Sequence, residues 1–286
     1  MSNNKPSKYM ISICMITYNH EFYIESAIRG VLAQQTNFDI ELLISNDNSN
    51  DQTHQKILSL TKNLPRNITL SYFNQEKNLG MMSNFIFALE HCKGKYIALL
   101  DGDDYWTDPL KLQKQVDFLE ENLDYNICFH NMQIKDESKN LLLEDTITRE
   151  VENSTTSVDL AKGNFIHTPS VVLRNNFTIP DWFHQSPIGD WVLYMLAIKD
   201  KKIKKIEEVL GVYRSHGSSV WSLKTEKYRL EKTLNAYELV FHYNQYDSLT
   251  TNVLEEKINY FKKSLNKNSL EQKKSIIQRI AKKLFK

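Results

Sequence analysis

Cysteine, proline and long apolar runs are scarce in this sequence. Among 286 residues there are only three cysteines, Cys14, Cys92 and Cys128, which are far apart and each lie in an apolar context. This pattern predicts reduced core residues of a cytosolic protein rather than disulfides or metal ligands. The first ten residues lack the basic and apolar regions of a signal peptide, and no apolar stretch is long enough to span a membrane. We therefore expect a cytoplasmic protein that is soluble or peripheral to a membrane.

The net charge is small but unevenly distributed. The chain carries +1 in total, whereas residues 261–286 contain nine Lys or Arg and a single Glu, which gives this segment +8 and leaves −7 on residues 1–260. An acidic body argues against nucleic-acid binding, and a basic tail indicates a separate target for the tail. The 41% content of hydrophobic residues is ample for a packed core.

The first half of the chain alternates strands with helices. Apolar runs predict strands at residues 10–16, 40–45, 68–73 and 96–100. Helical spacing of apolar residues predicts helices at residues 21–34, 52–61, 82–92 and 110–121. This alternation predicts an α/β fold, with a Rossmann-like, mostly parallel sheet flanked by helices. The loops at the carboxyl ends of the strands then form one ligand-binding edge.

The second half follows a different pattern. Further strands are predicted at residues 127–134, 165–173 and 209–214, with a mobile polar loop at 144–157 and a helix at 191–198. From Leu223 onward the chain contains no proline and is predicted to be a helical C-terminal extension. The expected domains are therefore residues 1–222 and residues 223–286.

Three carboxylates follow the fourth predicted strand within four residues. Asp101, Asp103 and Asp104 would repel one another unless a cation or ligand hydroxyls absorbed their charge. Mg²⁺ or Mn²⁺, bound through one or two carboxylates and the oxygens of a substrate diphosphate, fits this arrangement, and Gly102 would let the backbone approach a ligand. The alternative is a solvated acidic turn in which Asp108 caps the next helix.

Polar residues also follow the first two strands. Thr17, Tyr18 and Asn19 are expected at the sheet edge after the first strand, and Asp47 is expected there after the second. Asp51 precedes a predicted helix, where a carboxylate cap is favourable. For Asp47 a role in a local Asx turn and a contact with ligand are equally consistent with the residues alone.

Three residues in the second half are further candidates. Asp190 begins a helical run and is either a general base or the helix cap. A helix N-terminus also lowers the pKa of a carboxyl, which would make Asp190 a weaker base. His216 is either a structural residue or a ligand, and Arg214 could neutralise phosphate or pair with the acidic body.

Five ordered segments resemble the family-2 glycosyltransferases that have the GT-A fold, of the bacterial surface-polysaccharide type. The segments are ITYN, SNDNSND, NLGMMSNF, LLDGDDYWTDPLKL, and IGDW followed by YRSHGSSVW, and the resemblance covers roughly residues 9–222. The chain departs from the usual DDGS motif of this family at Asn46 and Asn48, where Asp and Gly are common, while Asp47 is retained.

The resemblance implies a role for each matched residue. The backbone at Thr17 and Tyr18, together with Asp47 and Asn84, would hold the uracil and ribose of a UDP-sugar. In the DxD motif, Asp101 would contact the ribose and Asp103 would bind the metal ion that bridges the diphosphate, with Asp104 behind them. Asp190 would be the catalytic base of an inverting transfer, and His216 would contact the metal ion or the diphosphate. His167, Thr168 and Pro169 would border the sugar and the acceptor.

The expected function is transfer of a sugar from a nucleotide diphosphate donor to a hydroxyl acceptor, which would be a saccharide or a lipid-linked intermediate. The main alternative is a non-catalytic module that binds a nucleotide sugar or scaffolds partners. A nucleotidyltransferase would need a basic, glycine-rich triphosphate loop after the first strand, and NHEFYIES is neither. The tail SIIQRIAKKLFK predicts a basic amphipathic helix, which would bind an anionic membrane surface or pack on the body or on a second protomer of a homodimer.

Overall fold

The computed structural model describes residues 7–217, 224–243 and 245–284, with residues 268–284 described by their backbone alone. The strands are β1 (Tyr9–Thr17), β2 (Ile40–Asn46), β3 (Ile68–Asn74), β4 (Gly94–Asp101), β5 (Tyr105–Trp106), β6 (Tyr125–Asp136), β7 (Leu141–Glu144), β8 (Ser154–Thr155), β9 (Val172–Arg174) and β10 (Lys202–Ser215). The helices are α1 (Ile24–Leu32), α2 (Thr53–Leu60), α3 (Met81–His91), α4 (Lys111–Glu121), α5 (Ser157–Ala161), α6 (Asp190–Ile198), α7 (Glu226–Tyr243) and α8 (Ser248–Leu284).

All ten strands belong to one sheet. Eight of them lie in the order β3-β2-β1-β4-β9-β6-β10-β5, while β7 pairs with β6 and β8 pairs with β10. β1 to β4 are mutually parallel, β10 is parallel to β6, and β9 is antiparallel to both of its neighbours. The predicted α/β fold with a mostly parallel sheet is therefore confirmed. In the register, Thr17 is paired with Asn46 and Ile16 with Asp101, so the polar ends of three strands lie at one edge.

Helices cover both faces of the sheet because the strand side chains alternate between two apolar clusters. Ile11, Ile13 and Met15 of β1 pack with α1 and α4 on one face. Cys14 packs on the opposite face with α3, α6 and the C-terminal helices. All three cysteines are buried and free, as predicted for reduced core residues.

The predicted strand at 165–173 is wrong for most of its length. Residues Thr168–Ser170 form a 3-10 turn, and only the short strand β9 follows it. Pro169 accounts for the turn because its ring fixes φ and it has no N–H to donate to a neighbouring strand. The polar stretch 144–157 also holds β8, which pairs with β10, and Thr156 forms a capping box with Asp159 at the start of α5. The mobility predicted for residues 144–157 stays a prediction.

The C-terminal helices pack against the sheet domain. The ring of Tyr237 in α7 stacks on Trp191 with 4.2 Å between centroids, and its hydroxyl donates to the carbonyl of Ala161 at 3.0 Å. In α8, Leu254 and Ile258 join the same apolar cluster. A domain boundary at residue 222 stays a prediction. Two predicted features lie outside the described residues. They are residues 218–221 of the YRSHGSSVW segment and the side chains of the basic tail from residue 268 onward. Among the helices described, none is both long and apolar enough to cross a bilayer.

Candidate active site

The acidic loop after β4 lies against the end of β1. One carboxylate oxygen from each of Asp101, Asp103 and Asp104 lies within 4.8 Å of the others. The N–H of Gly102 donates to the carbonyl of Ile16 at 2.9 Å, and a β-carbon at position 102 would lie 2.5 Å from the Thr17 hydroxyl. Only glycine therefore lets the loop approach β1 this closely.

Two histidines face the carboxylate of Asp103. The Nε2 atom of His216 lies 2.9 Å from Asp103 Oδ2, and Nε2 of His20 lies 3.6 Å from the same oxygen. Burial by itself raises the pKa of Asp103, but the hydrogen bond with His216 and the charge of His20 outweigh burial and lower it. His20 is not among the residues predicted from the sequence, although its position just after β1 at the ligand-binding edge is a usable signal.

The pKa values of the two neighbouring carboxyls, Asp101 and Asp104, are raised rather than lowered. Burial raises the pKa of Asp101 to about 8, with further contributions from the charges of Asp103 and Asp190. Burial also raises the pKa of Asp104 well above its usual value, although the backbone N–H of Arg214 donates to its Oδ1 at 2.7 Å. Clustered carboxylate oxygens of this kind are the hard donors that Mg²⁺ and Mn²⁺ prefer, so the residues fit the expected ion.

Asp190 lies near the acidic loop, since its charge acts on Asp101. It is the first residue of α6, while the N-cap position is Gly189, and its Oδ2 accepts a hydrogen bond from Asn164 at 3.0 Å. The carboxylate also accepts backbone N–H groups at the start of α6, so it serves the helix start as well, and its role as a base stays a prediction. Burial raises the pKa of Asp190 despite the lowering effect of the backbone N–H groups, so it is a stronger base than its position at a helix N-terminus suggested.

Asp47 and Asn84 are both buried beside the NLG segment. The Asp47 carboxylate accepts the N–H groups of Leu79 and Gly80 at 2.6 and 3.0 Å, and its own N–H donates to the carbonyl of Thr17 at 2.9 Å. The Asn84 side chain bonds twice to Ser45 and thereby ties α3 to β2. Both residues shape the loop that borders the site, and their contact with a nucleotide stays a prediction.

The departures from the DDGS motif have a structural explanation. Asn48 takes the position where glycine is common, and its φ of +57° is a left-handed conformation that asparagine tolerates better than most residues. Asn46 is fully buried, donates to Asn74 Oδ1 at 2.7 Å and accepts the Ser49 hydroxyl at 2.5 Å. These two asparagines thus preserve the turn and link β2 to β3.

The remaining candidates are Tyr18, His167 and Asp51. Tyr18 is 41% exposed at the end of β1. His167 is nearly buried, contacts Asp145 Oδ2 through Nε2 at 2.9 Å and acts electrostatically on Asp190. Asp51 accepts the N–H of Thr53 at 2.9 Å at the start of α2, as expected for a helix-terminal carboxylate. The structure thus gathers the residues predicted for catalysis and metal binding, and it places those predicted to bind the nucleoside next to them.

The α/β sheet carries an acidic loop at its carboxyl edge, where folds of this class bind ligands, and comparison with known proteins identifies the family. Residues 12–175, more than half of the chain, match the family model described as glycosyl transferase family 2. The chain belongs to this family.

Two relatives illustrate the sequence similarity. Uncharacterized protein Rv1520 of Mycobacterium tuberculosis is 35% identical over 74% of this chain, and the match covers 60% of that protein's length. The Escherichia coli protein WfgD, a UDP-Glc:alpha-D-GlcNAc-diphosphoundecaprenol beta-1,3-glucosyltransferase, is 29% identical over 76% of this chain and 81% of its own.

Solved structures agree on the GT-A fold. S. aureus TarS 1–349 in complex with UDP-GlcNAc superposes with a TM-score of 0.65 at 18% identity, over 87% of this chain and 71% of that one. The mannosyltransferase PcManGT from Pyrobaculum calidifontis, in complex with GDP-Man and Mn²⁺, superposes with a TM-score of 0.63 at 14% identity. The superposition covers 90% of this chain and 73% of that one.

The raised pKa of Asp101 predicts a pH-dependent stability. Without a divalent cation the folded protein keeps this carboxyl protonated up to about pH 8, whereas the unfolded chain releases the proton above 3.8, so this ionisation makes the protein less stable as pH rises between these values. Asp101→Asn removes the ionisation. In chelator, its melting temperature should exceed that of wild type by a margin that grows from about pH 5 to about pH 9.

The matched control is Asp124→Asn, because Asp124 is a half-exposed carboxyl paired with Lys202 at the start of β10 and is not part of the acidic cluster. Its pKa is lowered by the Lys202 hydrogen bond, so its effect on melting should be the same at both ends of that pH range. If the difference in melting temperature between Asp101→Asn and wild type stays constant with pH, the pKa of Asp101 is not raised in the folded protein.

Proposed function

We propose that the protein is an inverting, metal-dependent glycosyltransferase that moves one sugar from a nucleotide diphosphate donor, a UDP-sugar, to a hydroxyl of a saccharide or lipid-linked surface-polysaccharide intermediate. The observation that carries this proposal is the carboxylate cluster of Asp101, Asp103 and Asp104 with Asp190 near enough to act on Asp101. WfgD, whose name specifies UDP-Glc and a diphosphoundecaprenol acceptor, and the nucleotide complexes of TarS and PcManGT support the donor and acceptor classes.

In the proposed reaction Asp190 removes the proton of the acceptor hydroxyl while the acceptor oxygen forms a bond to the anomeric carbon. The bond from that carbon to the diphosphate breaks on the opposite face, and the nucleoside diphosphate leaves. Asn164 holds the Asp190 carboxylate in place. A bound Mn²⁺ or Mg²⁺ would supply charge stabilisation to the leaving diphosphate, and Asp103 and His216 are the residues proposed to hold it.

The alternative function is a non-catalytic nucleotide-sugar-binding or scaffold module. The raised pKa of Asp190, together with its position near the carboxylates of the acidic loop, favours the catalytic function, because a general base needs a raised affinity for protons. The two functions differ in one measurable property, which is turnover of a donor sugar.

Asp103→Ala should abolish the metal dependence of nucleotide binding. In wild type, UDP is expected to bind tightly only with Mn²⁺ or Mg²⁺, because the diphosphate would otherwise meet uncompensated carboxylates. Calorimetry with UDP, in Mn²⁺ and in chelator, measures the difference, with Asp124→Ala as a surface carboxylate control. If wild-type affinity is equal in the two buffers, the metal ion has no part in the mechanism.

Asp190→Asn should lose sugar transfer but keep donor binding. The amide keeps the shape of the side chain and can still accept the Asn164 hydrogen bond, but it cannot take a proton. General-base catalysis contributes about 10²- to 10⁴-fold, so transfer or slow donor hydrolysis should fall by at least that range. Asp181→Asn, on an exposed turn, is the control. A rate within a few-fold of wild type would leave Asp190 without a catalytic role.

We further propose that the protein lies on the cytoplasmic face of the plasma membrane through residues 261–286. Each Lys or Arg near an anionic surface contributes about 1 kcal/mol, so binding to anionic vesicles should weaken steeply with salt. Deletion of residues 275–286 should abolish co-sedimentation and leave UDP binding unchanged. A full-length protein that ignores anionic vesicles at low salt would refute this proposal. A change of mass in light scattering on truncation would instead support packing in a homodimer.

A further inference from the structure

Arg214 contacts the acidic loop at two points. Its Nη1 donates to the carbonyl oxygen of Asp103 at 2.6 Å, and its backbone N–H donates to the carboxylate of Asp104 at 2.7 Å. The side-chain bond goes to the Asp103 backbone, while the Asp103 carboxylate is engaged by the histidines. Arg214 therefore fixes both the backbone and one carboxylate of the loop.

The same side chain is anchored to two other parts of the fold. Its Nη2 donates to the Ser26 hydroxyl on α1 at 2.9 Å, and its Nε donates to Glu137, between β6 and β7, at 2.7 Å. The guanidinium lies over the rings of Tyr105 and Tyr23, at 4.4 and 5.3 Å from their centroids. Its position is thus determined by hydrogen bonds in its plane and by aromatic rings packed against it.

These contacts decide between the two roles that the sequence left open for Arg214. The guanidinium is 11% exposed and is paired with Glu137, so its charge is already compensated within the protein. Pairing with the acidic body, rather than neutralisation of phosphate, is the role that the structure supports.

We propose that the Arg214 side chain is a positioning group that sets the geometry of the acidic loop for the diphosphate-bound cation, acting through the backbone of Asp103 without touching substrate. The inference rests on the proposed metal-dependent function. The planar fork of arginine is required because three separate nitrogens donate, Nη1 to Asp103, Nη2 to Ser26 and Nε to Glu137, whereas all three N–H groups of lysine lie on one nitrogen.

The chain offers a matched control in Arg174. This arginine also donates to three elements, through bonds to Tyr125, Tyr96 and Leu119, and it also lies over a tyrosine ring. Its contacts are at the opposite end of β4, where Tyr96 lies near the start of the strand and Asp101 at its end. Arg174→Lys thus removes an arginine of equal connectivity but leaves the acidic loop alone.

The test compares Arg214→Lys with Arg174→Lys by calorimetry with Mn²⁺ in the presence of UDP, and by thermal unfolding. Changes to residues behind a metal ligand cost about 10- to 100-fold in metal affinity, and we expect Arg214→Lys to lose Mn²⁺ affinity within this range. Arg174→Lys should lower the melting temperature at least as much and keep the wild-type Mn²⁺ affinity. Glu137→Gln, which keeps a side chain of the same shape, should weaken Mn²⁺ binding in the same direction even if Arg214→Lys fails to fold.

Two outcomes would overturn the inference in distinguishable ways. If Asp103→Ala loses Mn²⁺ binding while Arg214→Lys and Glu137→Gln bind it as wild type does, the acidic loop does not depend on Arg214 and the proposed function stands. If Asp103→Ala binds Mn²⁺ and UDP as wild type does, the metal-dependent function itself fails, and the inference fails with it.

Discussion

Repulsion among three carboxylates at the end of β4 is the constraint on which the rest of the site depends. Asp101, Asp103 and Asp104 lie close enough that two of them have raised pKa values, and the fold stabilises the third with two histidines. A protein gains nothing in stability from such a cluster, because each charge disfavours the next. The cluster makes physical sense as a site prepared for a cation and an anionic ligand.

The surrounding loops are held by short polar side chains rather than by apolar packing. Asn19 accepts the N–H of Asn50, and its own N–H donates to Ser49, so the loops after β1 and β2 are joined. Asp47 fastens the next loop through two backbone N–H groups. Local hydrogen bonds of this kind leave the backbone at the sheet edge ordered yet accessible, which a nucleotide site requires.

The C-terminal helices contribute to the same site from a distance. Tyr237 of α7 stacks on Trp191, and Trp191 directly follows Asp190 and donates to the carbonyl of Leu160 at 3.0 Å. Burial of these aromatic rings fixes the first turn of α6, and with it the carboxylate proposed as the base. The helical extension is therefore part of the support of the active site as well as the carrier of the basic tail.

The sequence by itself determined the α/β class, the four parallel strands and the acidic loop, because strand periodicity and the spacing of Asp101 to Asp104 are properties of neighbouring residues. Only the tertiary structure decided that His20 faces Asp103 and that Asn164 holds Asp190, since these pairs are 83 and 26 residues apart in the chain. It also showed that burial of Asp190 outweighs the helix N-terminus, because desolvation depends on everything packed around a group and not on its neighbours in sequence.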